Sequence, residues 1–295
     1  TPAMAVTGDL GASAPGELSP QVERQRWWSV VFSGFLLGAA FTGITVVLPL
    51  YATSALHLTS DQYAQALSLR MAGITFGVLL LGPFSERLGV RRVSLGCCVV
   101  GAICYFGMGY GQLGIFLVLL PLASAVISTT FVNLNHLTQL VSATRQGGAN
   151  TAYRSAGLLG SILAPLVATR LIELQGNYWP TFSAMGGCLL LAIIWLHRYP
   201  LAEPIAVWRG WRAELAPMVA LYSRALHEPR LMRVMLLTTL FTSFAWAGVQ
   251  SFFAIRLTRE LGVSDAAYGN YCAWSSLTAL LGVLGQGLWL DKVSV

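Results

Sequence analysis

The sequence has 295 residues, of which 55% are hydrophobic and only 10% charged, whereas soluble domains carry roughly a quarter charged residues. So few charged side chains cannot clothe a water-facing surface of this size, which excludes an ordinary soluble enzyme or binding domain and leaves an exterior that faces lipid. The net charge of +6 points to nucleic acid only if the cations fail to sort to one side of a bilayer, and they do sort.

Residues 1–26 are rich in Gly, Pro, Ser and Ala and read as a disordered cytoplasmic tail. A helix needs about 20 apolar residues to cross the hydrocarbon core. Eight stretches qualify: Trp27–Ala55, Gln62–Phe84, Val93–Tyr110, Gly114–Val141, Asn150–Leu171, Trp179–Leu196, Leu231–Ile255 and Ala266–Leu290. The first six make an N-terminal bundle over 27–197, residues 198–230 form the one long connection, and 231–295 hold the last two spans. No Asp or Glu falls inside any of them, and the five cysteines lie in apolar runs with no CxxC pair, which suits packing rather than a disulfide or metal site.

Thirteen of the eighteen Lys and Arg residues lie in the tail, in every second connection or at the start of span seven. That asymmetry places the N-terminus and these loops inside and makes nucleic acid unnecessary as an explanation of the charge. Within 198–230, Val207, Trp208, Trp211, Leu215 and Met218 recur at helical spacing opposite Arg209, Arg212 and Glu214, which predicts an amphipathic helix on the cytoplasmic membrane surface.

Inside the spans the polar residues are few. Arg70 stands nine residues after Asp61, roughly 13 Å into the second span at 1.5 Å per residue. An arginine at that depth costs at least about 2.5–3.5 kcal/mol, so it calls for a water-filled cavity or a buried partner. A substrate anion or helix carbonyls would serve. Thr129, Asn133 and His136 are spaced to share a face of span four, Arg154 enters span five by one turn, and Trp246 and Gln250 stand four apart in span seven. The rival reading for each is a hydrogen bond to a neighbouring helix, or snorkelling in the case of Arg154. Gly73, Gly77, Gly157, Gly160, Gly282 and Gly285 read as close-packing positions.

The chain also repeats itself. Gly82, Glu86 and Arg87 map onto Gly287, Asp291 and Lys292 at a constant offset of 205, as Gly77 maps onto Gly282. Upstream, Ser60-Asp61 matches Ser264-Asp265 at an offset of 204, each pair standing where it would cap a helix. The segment Gly82–Arg92, with Gly89, Arg91 and Arg92 completing it, resembles the loop between helices two and three of the major facilitator superfamily, Gly-x-x-x-Asp-Arg-x-Gly-x-Arg-Arg/Lys, with Glu86 in place of the aspartate. Pro49-Leu50-Tyr51, Arg145-Gln146-Gly147 and Glu228-Pro229-Arg230 agree more loosely.

The resemblance implies an all-α integral membrane protein, a bundle of twelve spans in two six-helix halves. Eight of these are expected here, with spans nine to twelve lying beyond this chain in a protein of roughly 400 residues. It implies a charge network at the loop motif that latches the halves in one state. It also implies a central cavity lined by spans one, four and seven, which makes Asn133, His136, Trp246 and Gln250, with Arg70 and Arg154, the candidates for substrate contact. The function implied is secondary transport of a small organic solute by alternating access, with Arg70 favouring an organic anion. The alternatives are efflux of small molecules, or a non-transporting eight-helix partner if the protein is this short. The partners expected are a small-molecule substrate with or without a coupling ion, and the lipid bilayer, with the full-length protein a monomer in the plasma membrane. No cofactor and no metal is expected. Neither an intramembrane Asp pair, a Ser with a His partner nor a His/Cys/Asp cluster is present in the spans, so an enzyme is not expected.

Overall fold

The computed structural model describes residues 19–141, 146–200 and 250–293, with four isolated positions between 220 and 234. Most of the tail, most of the predicted linker helix, most of span seven and Trp246 lie outside the described residues. Among those residues every regular element is helical: α1 (Pro20–Leu50), α2 (Ser60–Phe76), α3 (Gly82–Leu88), α4 (Val90–Met108), α5 (Leu113–Gln139), α6 (Gln146–Gln175), α7 (Trp179–His197), α8 (Gln250–Ile255) and α9 (Asp265–Val293). Three π-helical turns, Tyr51–Ala55, Gly77–Leu81 and Arg256–Glu260, continue α1, α2 and α8.

Six stretches are long and apolar enough to cross a membrane, from Pro20–Ala55 to Trp179–His197, and they coincide with predicted spans one to six. The eighth prediction falls on α9, whose 29 residues reach about 44 Å, ample for a bilayer. Span one starts earlier than expected. Ser19 caps its N-terminus, its Oγ accepting from the Val22 N–H at 3.4 Å, and Pro20 supplies a fixed φ where no N–H is needed. The exterior is apolar as lipid requires: Ile103, Val118 and Trp274 are 62%, 66% and 67% exposed.

The internal repeat is geometric as well as textual. The π turns Tyr51–Ala55 and Arg256–Glu260 stand 205 residues apart. Each is followed by a residue of positive φ, His57 at 52° and Gly262 at 67°. In each, a threonine hydroxyl returns to the carbonyl four residues back, Thr53 to Pro49 at 2.8 Å and Thr258 to Ala254 at 2.9 Å. Such back-bonding bends a helix, and because Ala254 stands where the first copy has proline, the π turn does not depend on Pro49. The caps then correct the predicted register. Thr59, not Ser60, caps α2, in a reciprocal box with Gln62 at 3.3 and 3.0 Å. Its counterpart Ser264 accepts from the Ala267 N–H at 3.3 Å. Thr59 and Ser264 are separated by 205, so the slip of one residue disappears.

α1 packs against α6 and α7, α4 lies between α5 and α7, α2 lies on α5, and α9 lies on α6. The tightest crossings are made by glycine. A β-carbon on Gly38 would strike the Gly157 carbonyl, one on Gly160 the Phe35 carbonyl, and ones on Gly73 and Gly77 the carbonyls of Pro121 and Ala125. At Gly82 and Gly282 a β-carbon would meet no described atom within 4 Å. At the core, Tyr51 donates to the Met108 carbonyl at 2.5 Å and meets Phe116, Tyr178 and Phe182 edge-on at 5.6, 5.3 and 4.9 Å between centroids.

Candidate functional site

Two cavities open where spans one and five of the first half-bundle face the helices of the second. The smaller, about 170 Å³, lies between Thr42, Thr45 and Phe41 of α1, Ser161 of α6, Phe253 of α8, and Tyr268, Tyr271, Ser275 and Ser276 of α9. The larger, about 590 Å³, lies nearer the end that carries the loop motif and shares Phe41, Thr42 and Ser161 with the first. Its other walls include Ser128, Phe131 and Asn135 of α5, and Tyr153, Arg154 and Gly157 of α6. Among the described residues, no Asp or Glu lines either cavity.

Arg154 is exposed and reaches this larger space, the one cation among its lining residues. Arg70 is buried behind the wall. Its Nη2 donates to Thr45 Oγ1 at 2.7 Å, and its guanidinium lies 5.3 Å from the centroid of the Phe41 ring. Both partners line the smaller cavity, so Arg70 stands one side chain from it, and the helix-to-helix bond foreseen as a rival reading is present.

The other candidates separate. Asn133 is buried and donates to Ser94 Oγ of α4 at 3.1 Å, facing span three and not the cavity. His136 is exposed and lines neither cavity. Gln250 opens α8 and its side chain is outside the described set, as is Trp246 altogether. The face of α5 that meets the cavity carries Ser128 and Asn135 instead. Those two are seven apart, two helical turns, which was the spacing to follow; Thr42 and Thr45 in span one gave a similar signal. Packing on α4, which no one-helix pattern reveals, turned Asn133 away.

At the loop motif, Gly89 adopts φ 99°, a conformation that favours glycine, and so turns the chain from α3 into α4. Arg91 donates to the Tyr199 carbonyl at 2.8 Å. Arg26 joins it, donating to the carbonyls of Leu140 at 2.8 Å and Pro200 at 3.0 Å, while the buried Tyr199 donates its hydroxyl proton to the Leu137 carbonyl at 3.0 Å. Arg87 and Arg92 flank this knot, and the side chain of Glu86 lies outside the described set. Gly287, Asp291 and Lys292 of the second copy lie in the last turns of α9, again without described side chains.

At the opposite end the half-bundles touch. Arg259 donates to the Thr53 carbonyl, and Tyr63 meets Phe252 edge-on at 6.4 Å. Glu173 of α6 caps the N-terminus of α9, its Oε1 accepting from the Ala266 N–H at 3.1 Å, while Oε2 takes Arg170 at 3.1 Å. Val46, Leu50, Ala254 and Tyr268 bury one another beneath. Asp265, just before the eighth span, has its carboxyl held above the ordinary 3.8 by burial and then by the neighbouring Glu173. A raised carboxyl pKa means that protonation favours the buried state. Acid therefore holds this seam closed, and that contribution fades as pH rises through the raised value. The distance between spin labels placed at the exposed Ser54 and Leu261, one on each side of the seam, should accordingly grow as pH rises through that value, and Asp265→Asn should remove the dependence. Glu173→Ala removes a charged cap worth about 1.5 kcal/mol and with it the second cause of the raised Asp265 pKa, so it should populate the open seam about tenfold more while weakening the pH dependence.

Comparison with known proteins agrees with this architecture. The family model of the major facilitator superfamily matches residues 30–294. Among solved structures, tetrameric PepTSo2 aligns with TM-score 0.53 at 16% identity, covering 75% of this chain and 53% of that one. A bacterial homologue of the human drug peptide transporters PepT1 and PepT2 aligns with TM-score 0.53 at 15% identity, covering 78% and 56%. This chain thus spans about half the length of the structures it matches, and at such identity the likeness concerns the fold. No curated protein sequence matches it significantly. With a duplicated helical frame, a cavity on the seam between its halves and a family model spanning nearly its whole length, the chain is a multi-pass integral membrane protein that belongs to the major facilitator superfamily.

Proposed function

We propose that the protein of which this chain is part is a secondary transporter that carries a small organic anion by alternating access, with the loop motif and the N-terminus on the cytoplasmic side of the plasma membrane. The observation that carries the reading is the charge of the cavity wall: Arg154 faces the larger space, and no carboxylate is among the described residues that line either cavity. A cation in a low-dielectric cleft attracts the opposite charge strongly, while the side-chain amide of Asn135 on the same wall can supply hydrogen-bond donors for carboxylate or hydroxyl oxygens. The seam closed at the Arg259 end, beside a cavity that widens towards the motif, suits a state open to the cytoplasm. The protein works as a monomer in this reading.

The rival reading, efflux of a greasy solute, draws on Phe41 and Phe131, whose rings meet edge-on at 5.5 Å against the cavity. Proteoliposomes separate the two. Uptake of small carboxylates should exceed that of neutral peptides and of lipophilic cations, and Arg154→Ala should raise KM for the anion about tenfold, the worth of one charge-assisted hydrogen bond. Equal transport of cations and anions, or an unchanged KM in the variant, would overturn the anion reading.

A further inference from the structure

At the motif end, α1 and α7 meet along a line of rings that the transport cycle leaves unused. Trp28 lies 5.5 Å from Phe32, and Phe32 stacks on Trp195 at 4.3 Å with the planes only 17° apart. Trp28 is 44% exposed and Phe32 37% on the outer surface of the bundle. Above this ladder sit two arginines. Arg198 lies over the Trp195 ring at 5.4 Å. Arg24 is one helical turn before Trp28 on α1, so Arg24, Trp28 and Phe32 share one face. Both arginines are exposed, and neither has a carboxylate partner among the described residues. The two helix ends are pinned together, because Gln25 Nε2 donates to the Arg198 carbonyl at 2.8 Å.

We infer that this α1–α7 groove binds an anionic phospholipid, the phosphate held by Arg24 and Arg198 and the glycerol and first acyl carbons laid on the Trp28–Phe32–Trp195 ladder. A belt of aromatics at the membrane surface is common. What distinguishes this one is that the rings come from two helices in fixed contact and that guanidinium groups with no carboxylate partner among the described residues flank them at the depth of a headgroup. The charge fits a lipid of the anionic cytoplasmic leaflet, where each arginine near the surface adds to the attraction, and the stacked rings leave an apolar edge for the chain of that same molecule. The inference stands apart from the nature of the transported solute.

The test uses the purified full-length protein and native mass spectrometry with phosphatidylglycerol or phosphatidylcholine added to the detergent. The wild type should retain phosphatidylglycerol about tenfold better than phosphatidylcholine. The double variant R24Q/R198Q, whose altered residues are exposed and leave the core intact, should lose that preference. A second reading comes from thermal unfolding: phosphatidylglycerol should raise the wild-type Tm and leave that of the variant where phosphatidylcholine puts it. Equal retention of the two lipids by the wild type, or a variant that keeps its preference, would show an unselective aromatic belt and overturn the site.

Discussion

Gly160→Val should prevent the first half-bundle from assembling, and it should do so more completely than any substitution of a large core side chain. The reason lies in how α6 meets α1. A β-carbon at Gly160 would overlap the carbonyl oxygen of Phe35 and lie 2.8 Å from the backbone nitrogen of Ala39. No rotamer change relieves a clash between two backbones, so the helices must separate and forfeit packing along their whole contact. Overpacking within a core costs about 1–3 kcal/mol when neighbouring side chains can shift; here they cannot, and the loss should exceed that range. Gly38→Val, aimed at the Gly157 carbonyl, should behave alike. Gly82→Ala is the control, since its β-carbon would enter open space. Fluorescence-detected size-exclusion profiles after mild detergent extraction would read the difference. A monodisperse Gly160→Val protein with wild-type Tm would show that the α1–α6 crossing is not the tight contact described.

Arg70→Met should separate stability from function in the opposite sense. An arginine buried at mid-membrane carries an insertion cost of at least about 2.5–3.5 kcal/mol, offset here by one hydroxyl and one ring face rather than by a carboxylate. An apolar chain of similar length removes the cost, and replacing a buried charge in this way is often neutral or stabilising. The variant should therefore keep or raise its Tm. Transport of the anion should nonetheless fall about a hundredfold, because Thr45 and Phe41 lose the group that positions them on the cavity wall and the site loses a nearby positive charge, together worth about 3 kcal/mol. Arg70→Lys should recover only part of this, since an ammonium lacks the planar face that lies over Phe41. A matched drop in Tm and transport would mark Arg70 as a structural residue alone.

These expectations rest on features that differ in how plainly the amino-acid order declares them. The membrane spans were readable because lipid imposes length and apolarity on each helix independently of its neighbours. The repeat was readable as well, yet its register was misjudged by one residue at the caps. Ser60-Asp61 looks like the better cap, and only the Thr59–Gln62 box shows which hydroxyl meets the backbone. The cavity face of α5 was hidden for a different reason. Asn133 and Asn135 are two residues apart, and which of them faces the cavity depends on where Ser94 of α4 offers a partner, a contact between helices that no single-helix pattern encodes. Glu173 could not be recognised at all from its position after span five, since its role comes from the free N–H groups of a helix more than ninety residues later.

The knot around Tyr199 bears on how firmly the loop motif is held. Arg91, Arg26 and Leu137 all fasten the backbone or ring of Tyr199 and Pro200 to the first half-bundle. Residues 198–200 are therefore a fixed post on the first half-bundle, held by hydrogen bonds to three of its helices. Removing the Arg91 guanidinium would cut one of those stays and tie the loop motif less firmly to the end of α7.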